Sequence, residues 1–438
     1  MVPATLVRPP TVAFGLGNGL RVILAPLPES PTASVWVWYR VGSKNERPGL
    51  TGASHWVEHM LFEGSPRYPK GAIDRAVAEV GGELNAFTDY DFTAYYTTVP
   101  REHLEVPLAF EADRMTRARL DDAEVERERT VIRSEREGNE NWPEFRVEEE
   151  AMALAFRVHP YRWDALGWRR DIERLSPAEL RAYYRQYYGP RNATLVVTGG
   201  FDARRVASDV RRRFGSLPGT GAAVDVPEVE PPAEGERRAE LRGPGTTPYL
   251  LVAWRAPALD DPATPATLLV DTILGGGSRL FGPAWGSGSG EHPSARLYRA
   301  LVDPGLAVRA TCEWQPRRYP GLFSVAVQAA EGVGFDRLES EIDRVTERLA
   351  RTGPTSAEMD DARVRLRRGA TLAYEGATRT GFRLGYFSTL RDLALEGDLF
   401  RRLQAVRAPE VRARARELFR PSQRVVVRYT PTSEARDG

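Results

Sequence analysis

Cysteine is nearly missing from this sequence of 438 residues, with Cys312 as its one example. A lone cysteine excludes an intramolecular disulfide and gives no sign of an oxidising compartment. Long apolar runs are missing too, since no stretch reaches the roughly 18 residues that a membrane-spanning helix needs. The first residues also show no secretory signal. These absences lead us to expect a cytoplasmic protein without a membrane partner.

Excess charge of either sign is also missing. The formal net charge is +1, so electrostatics gives no reason to expect nucleic acid or an acidic membrane as a partner. Lysine is rare, since Lys44 and Lys70 are the only lysines among 61 basic residues, and the arginines are spread along the whole chain. With 42% hydrophobic and 28% charged residues, the composition is that of a folded globular protein.

The length and the pattern of the sequence predict two halves. A chain of 438 residues is too long for one ordinary domain. Strand-like and helix-like runs alternate over residues 1–217, a stretch rich in Pro, Gly, Ala and Glu follows over 218–243, and the alternation resumes over 244–438. We therefore predict a first half, a linker and a second half. Each half is expected to be α+β, with a mainly antiparallel sheet and helices on one face.

Two of the five histidines stand in an otherwise apolar segment, GASHWVEHMLFEGS at 52–65. The apolar residues recur at the spacing of a buried helix. His55 and His59, at positions i and i+4, therefore project in the same direction about 6 Å apart, as two nitrogens that bind one metal require. Glu58 borders that face and can reach a water on the metal. Because burying three polar side chains without partners is costly, the pattern favours a metal site over a pair of core histidines.

The second half repeats this scaffold without its chemistry. When VEHMLFEGS is aligned with VDTILGGGS, Leu268, Asp271 and Thr272 stand at the three positions of the His and Glu motif. A purely structural need for the histidines would be expected in both copies. The difference therefore favours a metal site that belongs to the first half alone.

A zinc site needs a third protein ligand, and an acidic helix-like stretch at 121–141 offers many carboxylates. Val125, Glu128, Ile132 and Glu135 fall on one stripe at helical spacing. A solvated charged face explains this stripe equally well. The spacing does not choose among five candidate glutamates of the stretch, which are Glu124, Glu126, Glu128, Glu135 and Glu137.

The motif His55-Trp-Val-Glu58-His59, followed downstream by Glu135, resembles the pitrilysin and mitochondrial processing peptidase family, whose inverted-zincin motif is H-x-x-E-H. GGELNAFTDYDFTAYYTTVP resembles the strand region of that family after the motif, and ERERTVIRSERE resembles its second glutamate region. The resemblance covers nearly all of residues 13–205 and, more loosely, about 244–430. It implies a zinc metalloendopeptidase whose two homologous halves form a clamshell or chamber.

The resemblance also implies a role for each matching residue around the metal. His55, His59 and Glu135 would bind one Zn²⁺ per chain. Glu58 would be the general base that activates the attacking water. Glu128, on the same helix face as Glu135, would be a carboxylate that supports the ligands from behind.

A peptide substrate is implied by the same resemblance. LNAFT, residues 84–88, resembles the edge strand on which the family docks an extended peptide. Asn85, Ala86 and Phe87 would bind the peptide by strand addition, which gives affinity with little sequence preference.

One departure from the family pattern predicts a protein partner. Self-sufficient members carry an arginine and a tyrosine in the second half, where this sequence has Leu301 and Val308, and neither side chain can donate a hydrogen bond. Tyr298 and Arg299 are nearby at the wrong spacing, and the Gly- and Ser-rich stretch upstream, 282–292, is predicted to be a mobile loop. We expect a heterodimer whose homologous partner supplies the pair, although activity of the single chain is an alternative.

Two other function classes are compatible with the resemblance. A family member can be a non-catalytic structural subunit of a larger complex, and a related metal hydrolase can act on a small molecule. The complete set of metal ligands and base argues against the structural subunit. The duplicated, chamber-sized architecture argues against the small-molecule hydrolase.

Overall fold

The first six strands form one sheet in the computed structural model, which describes residues 8–222, 224–275 and 291–432. Its strand order is β1-β2-β6-β3-β5-β4, and all neighbours are antiparallel except β2 and β6. The strand β4 therefore lies at an edge. The elements of this half are β1 (Val12–Gly15), β2 (Arg21–Pro26), β3 (Thr32–Tyr39), α1 (Ala53–Met60), α2 (Ala72–Glu79), β4 (Glu83–Thr88), β5 (Thr93–Pro100), α3 (Glu105–Arg117), α4 (Asp122–Glu140), α5 (Pro143–Ala155), α6 (Arg169–Arg174), α7 (Pro177–Tyr187), β6 (Ala193–Gly199) and α8 (Ala203–Phe214).

The other five strands form a second sheet of order β7-β11-β8-β10-β9, in which only β7 and β11 are parallel. The predicted α+β class with mainly antiparallel sheets is confirmed. The elements of this half are β7 (Arg237–Pro244), β8 (Tyr249–Ala256), α9 (Thr264–Leu274), β9 (Ala307–Trp314), β10 (Gly321–Ala329), α10 (Phe335–Thr352), α11 (Ser356–Leu372), α12 (Gly376–Leu390), α13 (Leu393–Ala405), α14 (Ala408–Leu418) and β11 (Val425–Thr432).

The stretch predicted as a linker, 218–243, ends earlier than expected. The strand β7 begins at Arg237 and pairs with β11 at the edge of the second sheet. Its side chains alternate between half-buried and exposed positions, so a charged sequence is compatible with a strand that has a single neighbour. The low hydrophobicity of an edge strand is what made residues 237–243 resemble a linker. The other limits of the two halves stay a prediction.

Two further expectations concern the surface of the molecule. Within the ranges given above, no helix has both the length and the apolar character that crossing a membrane would require. Most of the loop predicted at 282–292 lies outside the described residues, which resume at residue 291. The cytoplasmic location stays a prediction.

Each sheet is covered on one face by helices of its own half. In the first half, α1, α3, α7 and α8 bury Val35 and Val37 of β3 and Leu195 of β6. In the second half, α9, α10 and α14 bury Val252 of β8 and Val325 of β10. Successive side chains of a strand point to opposite faces, so Val35 and Val37 share one face of β3, and the side chains between them point to the other face.

The opposite face of each sheet is covered by a helix from the other half. The first-half helix α5 packs against β8 and β11, with Val147 and Ala151 in the shared core. The second-half helix α12 packs against β3 and β6, where the Phe382 ring lies 5.6 Å from that of Trp38. Trp36 and Trp38 are fully buried there. The two halves therefore complete each other's cores.

Two glycines of α12 allow its close approach to the first sheet. A Cβ at Gly381 would overlap the indole ring of Trp36, and one at Gly385 would overlap that of Trp38. Packed interiors accommodate such additions only by displacing side chains or backbone. The contact between the two halves therefore depends on residues without side chains.

We expect Gly385→Ala to lower the free energy of unfolding by about 1–3 kcal/mol, because the added methyl group overpacks the contact with Trp38. The matched control is Gly397→Ala in α13, where an added Cβ meets nothing within 4 Å. This control should be neutral or stabilising by up to about 1 kcal/mol. Urea unfolding of both variants measures the difference. Equal midpoints for the two variants would contradict the close packing of α12.

Candidate metal centre and active site

The His and Glu motif lies on α1, which is anchored in the core of the first half. Trp56, Val57 and Met60 of this helix are fully buried, as the apolar spacing predicted. With these side chains turned inward, His55 and His59 are directed toward α4, which packs against α1. The scaffold thus determines where the two imidazoles point.

The N-terminus of α1 is capped by the carboxylate of Glu46, which the sequence did not predict. Glu46 is buried and accepts hydrogen bonds from the backbone N–H groups of Gly52 and Ser54, at 2.8 Å each. Burial raises the pKa of Glu46 to about 8, although these hydrogen bonds oppose the shift. The free N–H groups at the beginning of a helix need such acceptors. An acidic residue shortly before a predicted helix is the feature of the sequence that could have indicated this contact.

Three side chains from α1 and α4 converge on one point. His55 Nε2 and His59 Nε2 lie 3.3 Å apart, and each lies 3.5 Å from Glu135 Oε2. Ligand atoms around a tetrahedral zinc ion, with bonds of about 2.0–2.1 Å, lie about 3.3–3.4 Å from one another. The spacing of these three atoms therefore fits the metal. Within the described ranges, no other group of three His, Cys, Asp or Glu side chains is similarly close.

The structure separates the carboxylates of α4 that the sequence left open. Glu135 faces both histidines, and Glu128 Oε2 lies 3.0 Å from Nδ1 of His59. A hydrogen bond from Nδ1 orients the imidazole ring and leaves Nε2 free to bind a metal. The other three glutamates pair with basic side chains, Glu124 with Lys70 and Arg127, Glu126 with Arg129, and Glu137 with Arg133 and Arg169.

The electrostatics of the cluster favour a bound cation. Burial, aided by the neighbouring His59, lowers the pKa of His55 to about 4. Burial also disfavours charge on His59, but hydrogen bonds to Glu128 and Glu135 outweigh it and raise its pKa to about 10. The hydrogen bond with His59 lowers the pKa of Glu135. Without a metal, Glu128 and Glu135 therefore keep His59 protonated. With a metal bound, the same two carboxylates would support His59 as a ligand.

Glu58 lies beside this cluster in a different environment. Its side chain is buried, and burial raises the pKa of the carboxyl group to about 7. The hydroxyl of Thr88, the last residue of β4, donates a hydrogen bond to Glu58 Oε2 at 2.6 Å and opposes that shift. No local pattern of the sequence points to Thr88, because the contact joins residues of two separate elements. A carboxyl group that titrates near neutral pH is suited to proton transfer.

The residues predicted to bind a peptide lie on the edge strand β4, which pairs with β5. Asn85 is exposed, and its side-chain oxygen accepts a hydrogen bond from the backbone N–H of Ala86 at 2.8 Å. The Phe87 ring lies 5.8 Å from that of Trp38, in the aromatic core under α12. Phe87 therefore offers its backbone, and not its side chain, to a peptide added at this edge.

The two positions that the resemblance aligns with an arginine and a tyrosine have different surroundings. Leu301 is fully buried in the short helical segment Tyr298–Val302. Val308 lies on the edge strand β9 with 62% of its surface exposed. An exposed position on an edge strand is accessible to a substrate or a partner, but valine cannot donate a hydrogen bond there.

The chain matches two family models. The model described as Insulinase (Peptidase family M16) matches residues 21–166, and the model described as Peptidase M16 inactive domain matches residues 174–366. An uncharacterized zinc protease of Mycobacterium tuberculosis is 30% identical over 412 residues, which span 92% of this chain and 90% of that protein. The chain belongs to the M16 peptidase family. This confirms the family that the sequence motifs indicated.

Other relatives match over most of their length. The zinc protease PqqE of Helicobacter pylori is 26% identical over 95% of this chain and 92% of that protein. The mitochondrial-processing peptidase subunit beta of Blastocladiella emersonii is 27% identical over 87% of this chain and 80% of that protein. The crystal structure of a protease from Helicobacter pylori superposes with a TM-score of 0.90 at 24% identity, covering 97% of this chain and 100% of that chain. The last match shows a shared fold.

The second M16 half lacks the metal-binding side chains. Leu268, Asp271 and Thr272, which align with the His and Glu motif, are buried on α9. The name of the family model that matches 174–366, an inactive domain, is consistent with this loss. The candidate metal centre thus belongs to the first half.

Zinc uptake by the metal-free protein is expected to release protons and to weaken as the pH falls. Because its pKa is about 10, His59 carries a proton on both ring nitrogens at pH 7.5. Nε2 must lose its proton before it can bind zinc, while Nδ1 keeps its hydrogen bond to Glu128. Calorimetric titration with zinc, in buffers of different ionisation enthalpy, should give about one proton released per ion.

A variant without the Glu128 carboxylate should release fewer protons, because this residue supports the charge of His59. Glu128→Gln is compared with Glu126→Gln, a change on the same helix at a residue that pairs with Arg129 instead. Release from the wild-type protein close to zero would show that His59 is neutral before zinc binds.

Proposed function

We propose that this chain is a zinc metalloendopeptidase that cleaves peptides or small unfolded segments, and that it is the zinc-bearing subunit of a heterodimer. The observation that carries the proposal is the convergence of His55, His59 and Glu135, with the buried carboxyl group of Glu58 beside them. The names of its relatives, which are zinc proteases, support a peptidase function.

The donor set suits one zinc ion per chain. Nε2 of His55, Nε2 of His59 and an oxygen of Glu135 would hold it, with Glu128 orienting the ring of His59. Three protein ligands leave a position open, which is the arrangement of catalytic zinc sites. A zinc ion held there would supply Lewis-acid chemistry, since it polarises carbonyl oxygens and makes water more acidic.

Glu58 is positioned to move the protons of the reaction. It would accept a proton from the water that attacks the peptide carbonyl and then deliver it to the amine nitrogen of the leaving group. Its pKa of about 7 allows both transfers near neutral pH. Because Thr88 donates to Oε2, the second oxygen of the carboxylate can receive the proton.

The edge of β4 would bind the substrate. Its backbone groups on the side away from β5 can pair with an extended peptide, as in other cases of strand addition. Main-chain hydrogen bonds give affinity for any extended segment, so this edge adds little sequence preference. Strand addition requires the segment to be unfolded, which is why we propose peptides and unfolded segments as substrates.

Two substitutions separate the base from a metal ligand. Glu58→Gln keeps the size of the side chain but removes its basicity, so zinc should stay bound at about one equivalent while peptide hydrolysis falls by about 10²-fold or more. Glu135→Gln should lose zinc, because a neutral amide is a much poorer ligand than a carboxylate. Elemental analysis and a peptidase assay, with any required partner present, measure both effects. Near-normal cleavage by Glu58→Gln would exclude Glu58 as the base.

The heterodimer accounts for the residues at positions 301 and 308. Leu301 is buried and Val308 is exposed, and neither can donate a hydrogen bond to the negative charge that develops on the carbonyl oxygen. Loss of one such donor typically costs about 10²–10³-fold in rate. A homologous partner that carries the arginine and tyrosine pair would provide the missing donors.

The isolated chain should therefore be folded, loaded with zinc and nearly inactive on an oligopeptide library. Mixing it with a homologous chain that carries the pair should give a heterodimer on gel filtration and raise the turnover rate by at least about 10²-fold. A purified single chain with the turnover of a competent peptidase would show that no partner is needed. A zinc-loaded heterodimer without activity would instead favour the non-catalytic structural subunit.

A further inference from the structure

We propose that the second half positions the base of the first half through the turn between β4 and β5. In this arrangement Arg317 holds Asp89, and the adjacent Thr88 holds Glu58. The inference rests on the proposed function, because it concerns how Glu58 is oriented. Thr88, Asp89 and Arg317 are positioning residues, since each acts through another residue and not on the substrate.

The first link is the hydrogen bond between Thr88 and Glu58. Thr88 Oγ1 lies 2.6 Å from Glu58 Oε2, a short distance that is typical of a hydroxyl donating to a carboxylate. Thr88 is paired in register with Thr93 of β5, whose hydroxyl donates to the carbonyl oxygen of Val41 at 2.9 Å. The hydroxyl of Thr88 is thus carried by a paired strand, and its position depends on the end of the β4–β5 hairpin.

The second link joins the hairpin to the other half of the molecule. Arg317, in the loop between β9 and β10, forms an ion pair with Asp89. Gln315 from the same loop donates a hydrogen bond to Asp89 Oδ2 at 3.2 Å, and the guanidinium of Arg317 lies 4.2 Å from the centre of the Tyr90 ring. Asp89 follows Thr88 directly, so movement of this carboxylate would also move the residue that binds Glu58.

The same loop holds the other end of the turn. The backbone N–H of Arg318 donates to Asp91 Oδ2 at 2.9 Å. Asp91 also accepts hydrogen bonds from the hydroxyl of Tyr161 at 2.8 Å and lies 3.5 Å from the ammonium group of Lys44. The side chains of Lys44, Asp89, Asp91, Tyr161 and Arg317 are all largely buried. The turn is therefore fixed at both ends by residues 315–318 of the second half.

The loop itself is anchored in the second half. The hydroxyl of Tyr386 on α12 donates to the carbonyl oxygen of Pro316, and Arg391 donates to that of Arg318. Because α12 packs on the first sheet, the loop is placed by the same contact that joins the two halves. The second half, which carries no residue of the candidate metal centre, is thus connected to Glu58 through Arg317, Asp89 and Thr88. Misplacing a reacting group by about 1 Å can cost about 10²-fold in rate, so this contact can influence catalysis at a distance.

The link to Glu58 is tested by two substitutions at Thr88 in the zinc-loaded protein with any required partner. Thr88→Val keeps the shape but removes the hydroxyl, so kcat should fall by at least about tenfold while KM changes by less than about twofold. The zinc content should not change. Thr88→Ser retains the hydroxyl and should recover most of kcat. Equal kcat values for the wild-type protein and Thr88→Val would overturn the inference.

The link to the second half is tested with Arg317→Met. Its matched control is Arg424→Met, which removes another largely buried arginine whose ion-pair partners, Glu236, Glu339 and Asp343, lie away from the hairpin. Arg317→Met should lower kcat at constant zinc content and increase hydrogen exchange of the amides of residues 83–93. Arg424→Met should change neither. Faster exchange and lower kcat in both variants would indicate a loss of stability and not a positioning role.

A double variant tests whether the two links act along one path. If Arg317 acts through Thr88, Arg317→Met should reduce kcat little further in the Thr88→Val background. Independent effects would instead multiply, and this result would overturn the inference. Wild-type protein without activity, with zinc and partner present, would overturn the proposed function and the positioning role together. An active wild-type protein that tolerates Thr88→Val would overturn the positioning role alone.

Discussion

The two halves of this protein exchange one helix each, and the rest of the structure depends on that packing. With α12 on the first sheet, Trp36 and Trp38 are fully buried, and with α5 on the second sheet the aliphatic side chains of β8 and β11 are covered. Removing large apolar surfaces from water is the dominant favourable term in folding. The exchange therefore stabilises both sheets, and it also determines which loops of one half contact the other.

The candidate metal centre shows how the same scaffold can carry chemistry in one half alone. Two neutral imidazoles carry no charge that attracts a divalent cation, but Glu135 adds negative charge where the Nε2 atoms of His55 and His59 meet, and Glu128 adds it behind His59, at Nδ1. In the second half the corresponding helix presents Leu268, which is buried in the core. The two helices therefore share buried packing positions, but the residues of α9 at the ligand positions are part of the core.

Several features of the site could be predicted because they depend on local periodicity. The helical spacing of apolar residues places His55 and His59 on one face of α1, and the structure has them there, 3.3 Å apart at Nε2. The choice of Glu135 and Glu128 among the acids of α4 came from the family resemblance and not from spacing. Thr88 was missed because it reaches Glu58 from another strand, and Glu46 was missed although it stands shortly before the helix whose N–H groups it accepts. The end of the linker was misplaced because edge strands tolerate charged residues.

The sequence by itself determined the elements that follow from short-range patterns: the two α+β halves, the buried helix with its two histidines and the loss of that motif in the second copy. Only the tertiary structure decided which half covers which sheet face and which residues hold Glu58. The spacing of apolar residues indicates which face of a helix or strand is buried, but it does not indicate which other element covers that face. The contacts of Thr88 with Glu58 and of Arg317 with Asp89 join distant parts of the chain. They exist because the folded cores bring those parts together.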